Sequence, residues 1–260
     1  MDIKPNTLRE KLANGHRAVG TVVYSWSPYA IDVAASAGLD YVRIDTEHAF
    51  RRDDMLEQLV RAANMGNIVP IVRIDKGDPY LARKVLEIGA GGIIVPDICT
   101  PTEAQAVVQA VKFPPAGGRG YSSMCWSADW GAKAGEEWVL WSNREPMIGI
   151  MIESVAAMDA LEDILAVDGI DFLLFGPADF SMSLGLGAPR PQDARVLSAI
   201  KDTVRAAHKA GKYVSLGVGT NQANIKKHLK LGIDMLEFGN DLGIIRAAWA
   251  DAKSSAESGA

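Results

Sequence analysis

The chain has 260 residues, 48% of them hydrophobic and 23% charged, with a formal net charge of −5. This is ordinary globular composition at a length that supports a large core, and the acidic balance argues against nucleic acid as a partner, because phosphate contacts need a basic face. Two cysteines, Cys99 and Cys125, give neither a disulfide framework nor a zinc-finger spacing and fit a reduced, cytoplasmic setting, and no apolar run approaches the roughly 18 residues of a membrane span.

In chain order, residues 1–14 read as a polar arm and a helix, with no apolar run of the signal-peptide kind. Short β-branched runs then alternate with longer amphipathic segments. Strands are expected at 19–24, 41–45, 68–74, 92–96, 147–153, 170–176, 212–218 and 234–239. Helices are expected at 28–37, 53–64, 79–88, 101–111, 155–167, 193–210, 221–231 and 242–251. The strands are apolar nearly throughout instead of alternating. Strands buried on both faces look like this, so a parallel sheet covered by helices is expected. Several helices open on Pro, Asp or Asn, and Gly38, Gly66, Gly89, Gly211 and Gly232 follow helix ends. Eight strand–helix repeats predict a single α/β domain over 1–260, a (β/α)8 TIM barrel, since closure removes exposed edges. The alternative, an open doubly wound sheet, lacks a G-x-G-x-x-G after the first strand.

Two stretches depart from the rhythm. Residues 253–260 are small and polar and predict a flexible tail. Residues 113–146 are rich in Gly, Pro, Ser and Trp and read as a long loop after strand four, at the C-terminal face where barrel active sites form. A wall of the active site and an oligomer contact are both open uses for it.

Polar residues at strand ends are the candidates for chemistry. Glu153 and Asp179 follow strands five and six. Two carboxylates on one rim repel unless a proton or cation lies between them, and their oxygens suit Mg²⁺, Mn²⁺ or Co²⁺. Capping of the next helix is the alternative use of either. Asp45 and His48 stand three apart after strand two, a spacing that lets a carboxylate orient an imidazole base; a solvated loop histidine is the alternative. Arg73 ends an apolar strand, where a guanidinium either stabilises an enolate or pairs with Asp45 or Asp75. Gly176-Pro177-Ala178-Asp179 opens a helix whose first amides suit an anion.

Taken in order, IDTEHA (44–49), PIVRI (70–74), FPPAGGRG (113–120), MIES (151–154) and GPADFSMSLG (176–185) resemble the HpcH/HpaI aldolase family, which includes 4-hydroxy-2-oxoheptanedioate and 2-keto-3-deoxy sugar acid aldolases. The resemblance spans about residues 19–249. It implies a class II pyruvate aldolase, in which a divalent metal on Glu153 and Asp179 polarises a 2-oxo acid. His48 and Asp45 would serve as the acid/base dyad and Arg73 would stabilise the enolate. Gly176, Ala178 and Asp179, with Pro177, would hold the pyruvate carboxylate. It also implies a homo-oligomer, trimer or hexamer, that exchanges the last helix between subunits, and 2-oxo acid and aldehyde as small-molecule partners. The chain carries Met151 where members often have glutamine and Val22 where some have tryptophan. Trp126, Ser127 and Trp130 stand where an arginine often reaches the far carboxylate of the aldehyde. These changes point to an acceptor that is less charged or more apolar, or a hydroxylated one, with Met151, Trp126 and Ser127 expected to line its pocket. A decarboxylase or another carbon–carbon lyase on the same metal–enolate site, and a non-catalytic barrel, are the competing readings.

Overall fold

A computed structural model describes residues 5–49 and 53–258. The first four residues of the expected arm and the last two of the expected tail lie outside the described residues. Eight parallel strands close into a barrel in sequence order: β1 (Ala18–Val23), β2 (Tyr41–Asp45), β3 (Val69–Arg73), β4 (Gly92–Val95), β5 (Met147–Ile152), β6 (Phe172–Phe175), β7 (Tyr213–Gly217) and β8 (Met235–Asn240). Helix α1 (Thr7–Ala13) precedes them. Between and after the strands come α2 (Pro28–Ser36), α3 (Asp53–Met65), α4 (Pro79–Glu87), α5 (Pro101–Val111), α6 (Gly135–Arg144), α7 (Val155–Asp159), α8 (Leu161–Leu165), α9 (Pro177–Ser183), α10 (Ala194–Lys209), α11 (Gln222–Leu229) and α12 (Asp241–Ser258). The (β/α)8 expectation holds, with most boundaries moved by a residue or two.

The continuous apolar runs have a simple cause. One alternate set of strand residues packs outward under the helices, as Ile44, Val72, Ile93, Ile150 and Leu173 do. The other fills the lumen, with Tyr41, Ile71, Ile94, Met147, Phe172 and Met235 packed together. Leu8 and Leu12 of α1 belong to this inner cluster and plug the N-terminal end. Gly149 makes room for the Phe172 ring, which a Cβ there would meet at 2.2 Å.

Three expectations need revision. The segment 155–167 forms α7 and α8, separated at Ala160, in place of one helix. The last helix continues to Ser258, past the expected start of the tail at residue 253. Residues 113–146 do not follow strand four directly. Helix α5 carries the chain back down the outside of the barrel, so this segment joins α5 to β5 at the N-terminal rim. It also has structure of its own, a 3-10 helix (Trp126–Gly131) and α6. Buried Trp138 stacks on Trp141 at 5.4 Å and meets Phe113 edge-on at 6.2 Å. Arg119 lies 4.5 Å over the Phe113 ring.

Candidate active site

At the C-terminal rim the register places Asp45 beside Arg73 on neighbouring strands, facing the same way. Asp45 is fully buried. Its Oδ1 accepts from the backbone N–H of Glu47 at 3.0 Å and of His48 at 2.9 Å. Its Oδ2 accepts from Arg73 Nη2, and Arg43 Nη1 stands 3.4 Å away. Burial alone would raise the Asp45 pKa, but Arg73, the His48 amide and Arg43 outweigh it and hold the carboxyl below its ordinary range. Arg73 Nη1 also pairs with Glu47 at 2.8 Å, while Asp75, the other partner considered from sequence, is not the one it uses. Buried Arg73 Nε has no hydrogen-bond partner among the described residues.

The expected dyad is arranged differently. Asp45 engages His48 through the backbone amide, not the ring. The imidazole side chain is 60% exposed and stands 3.9 Å from Glu47 Oε2. Asp45 is already occupied by Arg73 and by the loop amides, so it shapes the loop that presents His48 and does not orient the imidazole.

Glu153, just past β5, accepts the Asp97 N–H on Oε1 at 2.7 Å. Asp97 offers that amide from a left-handed backbone, φ 54°. Burial raises the Glu153 pKa; the Asp97 amide opposes this, and the negative charges of Asp179 and Glu47 add to it. Gly176 is the floor beneath this carboxylate, because a Cβ there would lie 2.8 Å from Glu153 Cβ and 2.9 Å from its Oε2. Asp179 sits exposed in the first turn of α9, whose start carries no side-chain cap, with Pro177 in that turn and Ala178 exposed beside it. Met151 lies beneath, its Sδ 3.9 Å from Arg73 Nη1. The structure thus brings Asp45, Arg73, Met151, Glu153, Gly176, Pro177, Ala178 and Asp179 to one rim, with His48 at its edge.

Trp126 and Ser127 are not there. Ser127 Oγ donates to Leu86 O at 2.6 Å at the C-terminal end of α4, and the Trp126 ring covers Gly89. Both positions are at the N-terminal rim, so neither lines the acceptor pocket of its own barrel. The reason is the route of α5, which the sequence reading overlooked. Residues that the reading missed are Tyr24, Arg43, Glu47, Asp97 and Glu237. Arg43 and Glu237 had a signal: each is a charge interrupting an apolar strand. Tyr24 follows β1, and burial and neighbouring Asp45 raise its phenol pKa.

Glu153, its pKa raised by burial and then by the charges of Asp179 and Glu47, stands with Asp179 among carboxylates whose hard oxygens are of the kind divalent cations take. Among the described residues no group of three or more His, Cys, Asp and Glu could hold a metal ion. Lysine chemistry fits less well. Lys212 Nζ donates to Ile170 O at 2.7 Å at the opposite rim. Lys76, on the C-terminal side, is held by Glu103 at 2.6 Å, which raises its pKa, the reverse of what imine formation needs.

The profile of the HpcH/HpaI aldolase/citrate lyase family matches residues 19–248. The chain belongs to that family. Within it, a hydroxypyruvate/pyruvate aldolase of Deinococcus radiodurans is 32% identical over 95% of this chain and 88% of its own. A 2-keto-3-deoxy-L-rhamnonate aldolase of Klebsiella pneumoniae is 34% identical over 91% and 87%. The crystal structure of an HpcH/HpaI aldolase from Desulfitobacterium hafniense superposes with a TM-score of 0.90 at 29% identity, covering 96% of each chain. As an HpcH/HpaI member the chain is a carbon–carbon lyase, an aldolase, whose substrates are small keto acids and aldehydes. Aldolases of this family depend on a divalent metal. No described helix is long and apolar enough to cross a membrane.

Proposed function

We propose that this aldolase cleaves 4-hydroxy-2-oxo acids to pyruvate, or a substituted pyruvate, and an uncharged, hydroxylated aldehyde, using Mg²⁺, Mn²⁺ or Co²⁺ held by Glu153 and Asp179. The observation that carries the reading is Glu153, fixed by the Asp97 amide and pressed by the charges of Asp179 and Glu47 beside the Arg73 cation. The bound metal would act as a Lewis acid on the 2-oxo acid. The start of α9 at Gly176, Pro177, Ala178 and Asp179 receives the substrate carboxylate. His48 takes the proton of the 4-hydroxyl, and the C3–C4 electron pair passes into the enolate as the aldehyde forms and leaves. Arg73, short of one acceptor, donates to the enolate oxygen. A proton returned to C3 completes pyruvate, and synthesis is the reverse. Met151 forms part of the floor under the reacting carbons.

Support for an uncharged acceptor comes from the cations placed on this rim among the described residues. Arg73 is committed to Asp45 and Glu47, and Lys76 to Asp97 and Glu103, which leaves neither for a second substrate carboxylate. The relatives' names, a hydroxypyruvate/pyruvate aldolase and a deoxy-sugar acid aldolase, agree with it. The same names speak for aldol chemistry over decarboxylation or a non-catalytic barrel. Cleavage of a panel of 4-hydroxy-2-oxo acids, with and without EDTA, tests the reading. Metal-dependent preference for hydroxylated monocarboxylates is expected. Undiminished turnover after removal of divalent ions, or a preference for the dicarboxylic member, overturns it.

We infer also that the protein is a homo-oligomer, a trimer or hexamer, in the cytoplasm, where Cys99 and Cys125 persist as free thiols. Support comes from α12, which buries none of its residues on its own barrel and exposes Leu242, Ile244, Ile245 and Trp249. Such a helix is the element to exchange between subunits.

A further inference from the structure

Beneath the rim lies a second layer of charge. Arg43 on β2 and Glu237 on β8 are both buried, and their side chains meet in a two-point fork, Nε to Oε1 and Nη2 to Oε2, each 2.8 Å. The fork reaches across β1, where Gly20 is the register partner of Glu237 and adds no side chain. The remaining Arg43 nitrogen, Nη1, faces Asp45 Oδ2 at 3.4 Å. Read upward, the signs alternate without a break: Glu237, Arg43, Asp45, Arg73, Glu47.

Charge in this position is costly. Taking an arginine and a glutamate out of water costs several kcal/mol per ion by the usual reckoning, and apolar residues of similar volume often serve a core as well or better. The inner cluster around the pair is built mainly of apolar side chains, with the buried hydroxyls of Tyr41 and Ser215 beside them. Core packing therefore does not account for the pair, and the side chain it touches above does. Asp45 is shared between two arginines, so the position of Arg43 limits where Asp45 can hold Arg73.

We infer that the buried Arg43–Glu237 pair is a positioning device that holds Asp45, and through it Arg73, in place for enolate formation. This rests on the role of Arg73 proposed above. Neither Arg43 nor Glu237 touches substrate. Together they set the field under Asp45 and restrain Oδ2 so that Arg73 stays aimed at the rim. The groups facing Asp45 are Tyr24 after β1, Arg43 on β2, Arg73 on β3 and the loop residues Glu47 and His48, with Glu237 of β8 behind Arg43.

Two variants separate positioning from packing. The double substitution Arg43→Leu with Glu237→Leu replaces the pair by apolar side chains, and Glu237→Gln keeps the shape while removing the anion. In metal-free protein, carboxyl ¹³C NMR follows the titration of Asp45. In parallel, exchange of the pyruvate methyl protons in D2O with Mg²⁺ follows enolate formation against pH. The double variant is expected to keep its Tm, to titrate Asp45 at higher pH, and to lose about ten-fold in exchange rate, the scale of an outer-sphere orienting group. The acid limb of its exchange profile should move to higher pH. Glu237→Gln should move the Asp45 titration and the acid limb the other way, because Arg43 then faces Asp45 uncompensated. An Asp45 titration unmoved in Glu237→Gln overturns the inference, and this holds whether or not the double variant folds. An unchanged exchange rate and limb in a folded double variant also overturn it. Failure of the wild type to exchange at all with metal would instead sink the proposed function, leaving the NMR titration to decide this one.

Discussion

At the N-terminal rim, polar groups are tied to one another and to the backbone. Asn6 receives Leu8 and Arg9 amides, donates to Gly91 O at 2.7 Å, and offers its own N–H to Glu145 at 2.8 Å. Asp171 accepts from Arg9 and from the Ile148 amide, each 2.8 Å. Arg119, though buried, is held by Ser142 at 2.9 Å and by the aromatic faces of Phe113 and Trp138, while its Nε has no hydrogen-bond partner among the described residues. At the C-terminal rim the charges are less evenly matched. Glu153 is crowded by like charge, Asp45 is divided between two arginines, and Arg73 keeps a buried N–H without an acceptor. A buried N–H without a partner occurs at both ends, at Arg73 Nε and at Arg119 Nε; what sets the C-terminal rim apart is a carboxylate, Glu153, crowded by like charge. Stability resides at the N-terminal end and reactivity at the C-terminal one. Substitutions at the two ends should therefore fail in different measurements.

The largest effect is expected at the N-terminal end. Trp138 is fully buried, and its Nε1 donates to Ser122 O at 2.9 Å. Trp138→Ala should cost about 3–5 kcal/mol, the usual range for deleting a large core aromatic, read as a lowered denaturation midpoint. If the midpoint holds and activity alone falls, the division between the ends is wrong. Next in size is Gly176→Ala at the reactive end. Its backbone is at φ −96°, so alanine is tolerated there, but the new methyl would press on Glu153. Overpacking of this kind costs about 1–3 kcal/mol. We expect a modest loss of Tm with a far larger loss of kcat and of metal affinity, because the displaced group is the carboxylate itself. Equal losses in stability and activity would contradict the assignment of Glu153.

How much of this was legible beforehand depends on which periodicity carried it. The eight strands were readable because burial on both faces leaves an unbroken apolar run, as in the β3 sequence VPIVR. Asp45, Arg73, Glu153 and Asp179 were readable because a polar group closing such a run must emerge at a rim. Trp126 and Ser127 were misplaced because composition says that a segment is irregular, not which rim it reaches; only the direction of α5 settles that. The Asp45–His48 spacing fits ring-to-carboxylate pairing and amide-to-carboxylate pairing equally, and the structure has the second. Arg43 and Glu237 lie 194 positions apart, a contact that exists only after closure of the barrel brings β8 beside β1 and within reach of β2.

The smallest expected effect tests the reactive end without chemistry. The folded-state pKa of Glu153 lies above its ordinary value. Between the two values the folded protein holds a proton that the unfolded chain has released, so stability falls as pH rises through that window and stays reduced above it. In metal-free protein Glu153→Gln should therefore raise Tm slightly at neutral pH, and the gain should vanish as pH falls below the ordinary glutamate range. Added Mn²⁺ should raise the Tm of the wild type, since a ligand that binds only the folded state stabilises it. It should do so far less for Glu153→Gln, which has lost a donor oxygen and its charge. Differential scanning calorimetry across pH, with and without the ion, measures all of this. A variant that is less stable than the wild type at neutral pH without metal would show that Glu153 is a satisfied structural carboxylate, and the two ends of the barrel would then be alike.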